Sequence, residues 1–136
     1  MTRVLIVDDE PDVLLMLRVA LEAEGHDTAL AADGETAVRR LAREEFDLLL
    51  LDVMMPVLDG WGVLEALHGL AAPPRVIVLS ARTAPDDVGR AVALGAADYI
   101  TKPFSVEALV GRVPEVVAWT SAELDANRAR LGAVGR

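Results

Sequence analysis

The sequence predicts a doubly wound α/β fold: a five-stranded parallel sheet with five flanking helices. Three observations carry this expectation. Short, wholly apolar runs recur at residues 4–7, 48–51 and 76–79, bounded by acids, Gly or Pro, as strands buried on both faces require. Segments with helical apolar spacing lie between them. The two kinds alternate strictly along the chain, and such alternation yields parallel strands joined by right-handed crossovers.

In chain order, the first strand is residues 4–7. The first helix follows, with Val13, Leu14, Leu17, Ala20 and Leu21 on one stripe and Gly25 as its stop. A weaker apolar run at 28–31 is the second strand, and residues 35–43, with Ala37, Val38 and Leu41 facing inward, are the second helix. The third strand is 48–51 and the third helix 60–67. The fourth strand is 76–79, and the fourth helix runs over 86–94 to Gly95. The fifth strand is the short run 99–100. The fifth helix starts near Ser105 with Val106, Leu109, Val110 and Val113 inward. Pro114 falls inside that last pattern, deletes the bond to the Val110 carbonyl and is expected to kink or shorten the helix. Thr120-Ser121-Ala122-Glu123 has the spacing of a capping box. It opens either a further short helix over 121–131 or a frayed tail, because the apolar face there is only Leu124 and Leu131. The chain divides into a main domain over 1–118 and a tail or linker over 119–136.

Composition bounds the function. The 136 residues hold 13 Lys and Arg against 22 Asp and Glu, a net charge of −9, which disfavours direct nucleic-acid binding. Hydrophobic residues are 53% and charged residues 26%, the balance of a globular domain. With no Cys, a disulfide framework, a thiolate zinc site and a cysteine nucleophile are excluded. The two histidines, His26 and His68, are too few for a histidine metal cage and are expected to be exposed near helix ends. No apolar run approaches the length of about 20 residues that spans a bilayer, and the start is too acidic for a signal peptide. A cytoplasmic protein is expected. No Gly-rich loop follows the first strand, so a nucleotide cradle is disfavoured.

In open α/β sheets ligands bind beyond the carboxyl ends of the strands, where the crossovers reverse direction. The first strand ends in Asp8-Asp9-Glu10, the third in Asp52, the fourth in Ser80-Ala81, and the fifth is followed by Lys102-Pro103-Phe104. Each piece alone has a bland explanation: a helix cap at Asp9 or Glu10 before Pro11, a turn aspartate, a loop hydroxyl, a surface lysine. Together they place three carboxylates, a hydroxyl and an ammonium on one rim. Crowded carboxylates repel and call for a cation, and hard oxygen donors suit Mg²⁺ or Mn²⁺. A carboxylate held between such a cation and an ammonium is equipped to attack phosphorus. Asp52, on the central strand, is the candidate nucleophile. Met54 and Met55 are expected to pack in a loop and Trp61 to anchor a helix face.

These residues resemble the receiver domain of a two-component response regulator over residues 3–118. The resemblance rests on Asp8-Asp9, on 52–60 (Asp52-Val53-Met54-Met55-Pro56-Val57-Leu58-Asp59-Gly60), on Ser80-Ala81, on Gly95-Ala96-Ala97-Asp98-Tyr99, and on Lys102-Pro103-Phe104. It implies a flavodoxin-like strand order of 2-1-3-4-5. It further implies that Asp52 accepts a phosphoryl group from a sensor histidine kinase or phosphotransfer protein, in a reaction the receiver itself catalyses. Asp9 and Asp52 would bind Mg²⁺ with the Met54 backbone carbonyl, and Asp8 directly or through water. Lys102 would pair with a phosphoryl oxygen, and its bond to Pro103 would be cis. Ser80 would move towards the phosphoryl group while Tyr99 swings from exposed to buried, and the fourth helix, fifth strand and fifth helix would form the readout surface.

The sequence also departs from relatives of this kind. Ala97 and Ala108 stand where the dimer network of the winged-helix subfamily has acids, although Asp98 and Arg112 are suitably placed, and Pro114 disturbs the dimer-forming helix. A monomer or a different phosphorylation-dependent dimer is therefore expected. Met54 and Arg82 occupy positions that tune acyl-phosphate hydrolysis, and the pair predicts a long-lived phosphorylated state. Two other functions compete: a Mg²⁺-dependent phosphatase or phosphotransferase with an aspartyl-phosphate intermediate, and an interaction module that takes no phosphate. The first usually has a second acid two residues after the nucleophile, where this chain has Met54. The second predicts loss of an acid, Ser80 or Lys102, and all are present. The downstream partner is expected to be a separate protein or a fused output domain, with a fragment of a longer regulator as one possibility.

Overall fold

A computed structural model of the chain describes residues 2–53, 59–81 and 84–134. These residues form β1 (Arg3–Val7), α1 (Pro11–Ala23), β2 (Asp27–Ala31), α2 (Gly34–Arg43), β3 (Leu48–Asp52), α3 (Gly60–Leu67), β4 (Arg75–Ser80), α4 (Pro85–Ala93), β5 (Asp98–Thr101), α5 (Val106–Ala118) and α6 (Ser121–Val134). The five strands make one parallel sheet in the order β2-β1-β3-β4-β5.

The apolar runs behave as buried parallel strands because successive side chains leave opposite faces of the sheet. Val4 and Ile6 of β1, with Leu48 and Leu50 of β3, pack against Leu17 of α1 and Leu109 and Val113 of α5. Leu5, Val7, Leu49 and Leu51 face the other way, onto Ala37 and Leu41 of α2, Leu64 of α3 and Ala91 of α4. Every residue of β3 is buried, so the strand that ends in Asp52 is enclosed by helices on both sides.

Short polar side chains start several helices. Asp33 accepts from the Thr36 amide at 2.7 Å and Asp59 from the Gly62 amide at 3.1 Å, while the Ser105 hydroxyl accepts from the Ala108 amide at 3.2 Å. Helix α4 ends before Gly95, whose φ of 102° lies in the left-handed region that a Cβ disfavours.

Two expectations concern the C-terminal third. Pro114 lies inside α5, which continues to Ala118. The proline lies on the exposed face while Val113 and Val116 on either side are buried, so packing holds the helix where one backbone bond is missing. Of the two alternatives for the segment after 119, the further helix is the one that forms, three residues longer than the expected 121–131, and it brings the helices among the described residues to six. The capping box forms, Thr120 and Glu123 exchanging two hydrogen bonds of 3.2 Å, and α6 runs to Val134 against α4 and β5. Its apolar face is thin, and the helix docks through Asn127 and Arg128 as well as Leu131. Of the histidines, His68 is exposed but His26 is half-buried. Trp61 is buried, with the Arg90 guanidinium 4.4 Å from its ring centre.

Leu49→Ala, at a fully buried position, is expected to cost about 2–5 kcal/mol of stability. Urea unfolding checks this: the midpoint should fall with little change in slope.

Candidate functional site

Strand register brings the polar residues to one edge. Val7 pairs with Leu51, Asp52 with Leu79, and Ser80 with Thr101. The next residue of each strand therefore emerges at the same carboxyl rim: Asp8 after β1, Asp52 and Ser80 as the last residues of β3 and β4, and Lys102 after β5. The main-chain amide of Lys102 donates to the Ser80 carbonyl at 2.8 Å, tying the two neighbouring strand ends together.

Lys102 is the hub. Its Nζ donates to Asp8 Oδ2 at 2.8 Å and to Asp52 Oδ2 at 3.5 Å, and lies 3.9 Å from Glu10 Oε1. Asp8 and Asp52 are buried whereas Asp9 and Glu10 are exposed. Burial works to lower the Lys102 pKa, but the hydrogen bond to Asp8 and the charges of Asp52, Asp8 and Glu10 outweigh it and hold the ammonium above its usual 10.5. The group stays cationic at neutral pH.

Asp8 is held in place by its neighbour, the Glu10 amide donating to Asp8 Oδ1 at 2.9 Å. Ligand oxygens of Asp8, Asp9 and Glu10 all lie within 4.8 Å of one another. That set consists of hard carboxylate donors and fits a hard divalent cation. Glu10, placed here beside Lys102, was absent from the expected site residues. Its position next to the Asp8-Asp9 pair was the available signal, but its reading as a helix start before Pro11 absorbed it. It is the N-cap of α1, yet caps no amide with its side chain.

Gly60 shapes the floor of the site. A Cβ at this position would stand 2.6 Å from the Asp52 carbonyl oxygen and would also meet the Val53 backbone. The start of α3 can approach the end of β3 this closely only because residue 60 lacks a side chain.

Of the other expected residues, Ser80 is fully buried on the rim, and the Lys102–Pro103 bond is cis. Tyr99 is apart from the carboxylates, buried in the apolar cluster beneath α4. Met54 and Arg82 lie outside the described residues, as does Met55. Beside Lys102 a mainly apolar cleft of about 380 Å³ opens between α1 and α5, lined by Glu10, Val13, Met16, Ala81, Lys102, Pro103, Phe104 and Val106. A larger groove of about 710 Å³, further along α1 and α5, includes none of the rim residues. Among the described residues no helix is long and apolar enough to cross a membrane.

A family model described as "Response regulator receiver domain" matches residues 4–114. The transcriptional regulatory protein PrrA of Mycobacterium tuberculosis is 44% identical over 111 residues, covering 82% of this chain and 48% of that protein. The transcriptional regulatory protein KdpE of the same species is 41% identical over 117 residues, with 86% and 51% covered. The chain thus spans about half the length of these relatives. Among solved structures, the receiver domain of the Francisella response regulator 1452 superimposes with a TM-score of 0.81 at 32% identity, covering 86% of this chain and 97% of the other. The chemotaxis protein CheY4 of Vibrio cholerae gives 0.81 at 30% identity, with 85% and 98% covered.

Two substitutions probe the geometry. Gly60→Ala should lower stability by about 1–3 kcal/mol, the range for forcing extra volume into a packed site, measured by urea unfolding. Lys102→Met should tighten Mg²⁺ binding about fivefold or more, since removing a unit charge at contact range is worth about 1 kcal/mol even in water. Calorimetric titration of the metal would read this, and unchanged or weaker affinity would count against the ammonium as the dominant cation of the rim. The pH dependence has a definite sign: the Lys102 contribution to stability is complete below 10.5 and is lost only as pH rises through its raised pKa.

Proposed function

Because the chain belongs to the family of response regulator receiver domains, we propose that it is a phosphorylation-activated signalling switch that accepts a phosphoryl group on Asp52. The observation that carries this is the Lys102 ammonium bridging Asp8 and Asp52 at the carboxyl rim. The donor is a phosphohistidine of a sensor histidine kinase or phosphotransfer protein.

The side chains divide the work. The Asp52 carboxylate attacks phosphorus in line, forming an acyl phosphate as the bond to the histidine nitrogen breaks. Lys102, already within reach of Asp52, pairs with a phosphoryl oxygen, and the Ser80 hydroxyl moves to bond another. Asp9 and Asp52, with the Met54 backbone carbonyl and with Asp8 directly or through water, would hold Mg²⁺ or Mn²⁺. Bound there, the cation would offset the mutual repulsion of the carboxylates and neutralise charge on the phosphoryl group. Burial of Asp52 and Asp8 keeps water from screening these interactions. Tyr99 is the second switch residue, buried in the phosphorylated state, and α4, β5 and α5 carry the signal to the downstream partner. The chain catalyses its own phosphorylation and dephosphorylation rather than turning over a separate substrate.

The cleft beside Lys102 leads from the rim onto α1, where Leu15, Met16 and Val19 are exposed hydrophobic residues. An apolar surface that begins beside Lys102 suits a docking helix of the phosphohistidine protein. The receiver unit is residues 1–118, with 119–136 as its C-terminal extension. The protein works in the cytoplasm, monomeric or dimerising on phosphorylation. The relatives named transcriptional regulators are longer than this chain, which supports a regulator whose output is a fused domain or a separate protein; the net charge of −9 argues against DNA contact by this chain itself.

Incubation with acetyl phosphate and Mg²⁺, followed by intact mass measurement, tests the reading. The protein should gain the mass of one phosphoryl group, and neither Asp52→Asn nor EDTA-treated protein should gain it. A phosphoryl group retained by Asp52→Asn would refute the assignment of the acceptor.

A further inference from the structure

Helix α6 has no part in the reaction, yet it is fastened to the strand that carries Tyr99 and leads to Lys102. Asn127, itself buried, donates from Nδ2 to the Ala97 carbonyl at 2.8 Å and to Asp98 Oδ1 at 3.3 Å. Arg128 donates from Nε to the Ala96 carbonyl at 3.1 Å and from Nη2 to the Gly95 carbonyl at 2.6 Å. Four bonds thus converge on the turn that feeds β5. Leu131 enters the same buried cluster as Tyr99, Val88 and Ala91.

The links continue towards the rim. Asp98 Oδ1, which receives Asn127, also accepts from the Tyr99 amide at 2.9 Å. Its other oxygen takes the Arg112 Nε of α5 at 2.6 Å. Four residues beyond Asp98, the Lys102 amide joins the end of β5 to the Ser80 carbonyl. Asp98 and Arg112, which suited an intermolecular network, are therefore engaged with each other, and Asp98 with α6 as well. In this arrangement Tyr99 is 9% exposed, the buried position assigned above to the phosphorylated state.

We propose that α6 is a clamp on β5 that favours the Tyr99-buried conformation, so that docking of α6 and occupancy of Asp52 by a phosphoryl group strengthen each other. The proposal rests on the phosphoryl-switch reading. Linkage makes it quantitative: the factor by which a docked α6 raises affinity at the phosphoryl site equals the factor by which occupancy raises docking.

Beryllofluoride with Mg²⁺, an equilibrium mimic of the phosphoryl group, tests this on the full chain. Hydrogen exchange of the amides of 121–134 and beryllofluoride affinity are measured for the unaltered protein, Asn127→Ala and Arg128→Ala. The two variants lie outside the phosphoryl site, and the second serves should the first fail to fold. Beryllofluoride should slow α6 exchange about fivefold or more, and a variant that frees α6 should lose affinity by a similar factor. Beryllofluoride binding with α6 exchange unchanged or faster overturns the clamp, as does unaltered affinity in a variant whose α6 exchanges freely. No binding to the unaltered protein overturns the switch reading itself, and the clamp with it.

Discussion

The site depends on a charge balance that no single element could supply: one ammonium held against two buried carboxylates. Asp8 and Asp52 belong to adjacent strands, and their proximity at the rim would be repulsive without a cation between them. Lys102 provides it from the far side of β4. The arrangement holds because the sheet is parallel. All strands end at the same edge, so three chain segments separated by some forty to fifty residues deliver their polar ends to one place, while the apolar bodies of the strands stay locked between helices.

Most of this was legible in the sequence for a simple reason. Buried parallel strands must be apolar throughout, so the runs at 4–7, 48–51 and 76–79 stand out, and the first polar residue after each marks the rim. Asp8, Asp52 and Ser80 follow from that rule alone, whereas Lys102 lies one residue past Thr101, the first polar residue after the short run 99–100. The strand order does not, because adjacency in a sheet is a property of crossovers that local pattern leaves open; it came from the family resemblance.

What local pattern missed has equally physical causes. Glu10 sits in a place where a helix start and a cation ligand look alike. Pro114 is accommodated because the neighbouring buried valines hold α5 together around it, a support that exists only once the helix is packed. The docking of α6 was invisible because it is largely polar: Asn127 and Arg128 bond main-chain carbonyls at 95–97, and no hydrophobic stripe announces partners of that kind. Gly60 was noticed as part of a motif, but its contact with the Asp52 carbonyl needs coordinates.

The covering of β5 by α6 also bears on how copies of the chain behave towards one another. A terminal strand with free amides and carbonyls is a template for strands from other molecules. Here β5 is only four residues long, and its approach is overlaid by a helix whose polar groups already occupy the nearby carbonyls. Sheet extension from molecule to molecule is thereby discouraged at that margin, a protection against fibrous assembly that needs no charge repulsion and persists at high salt.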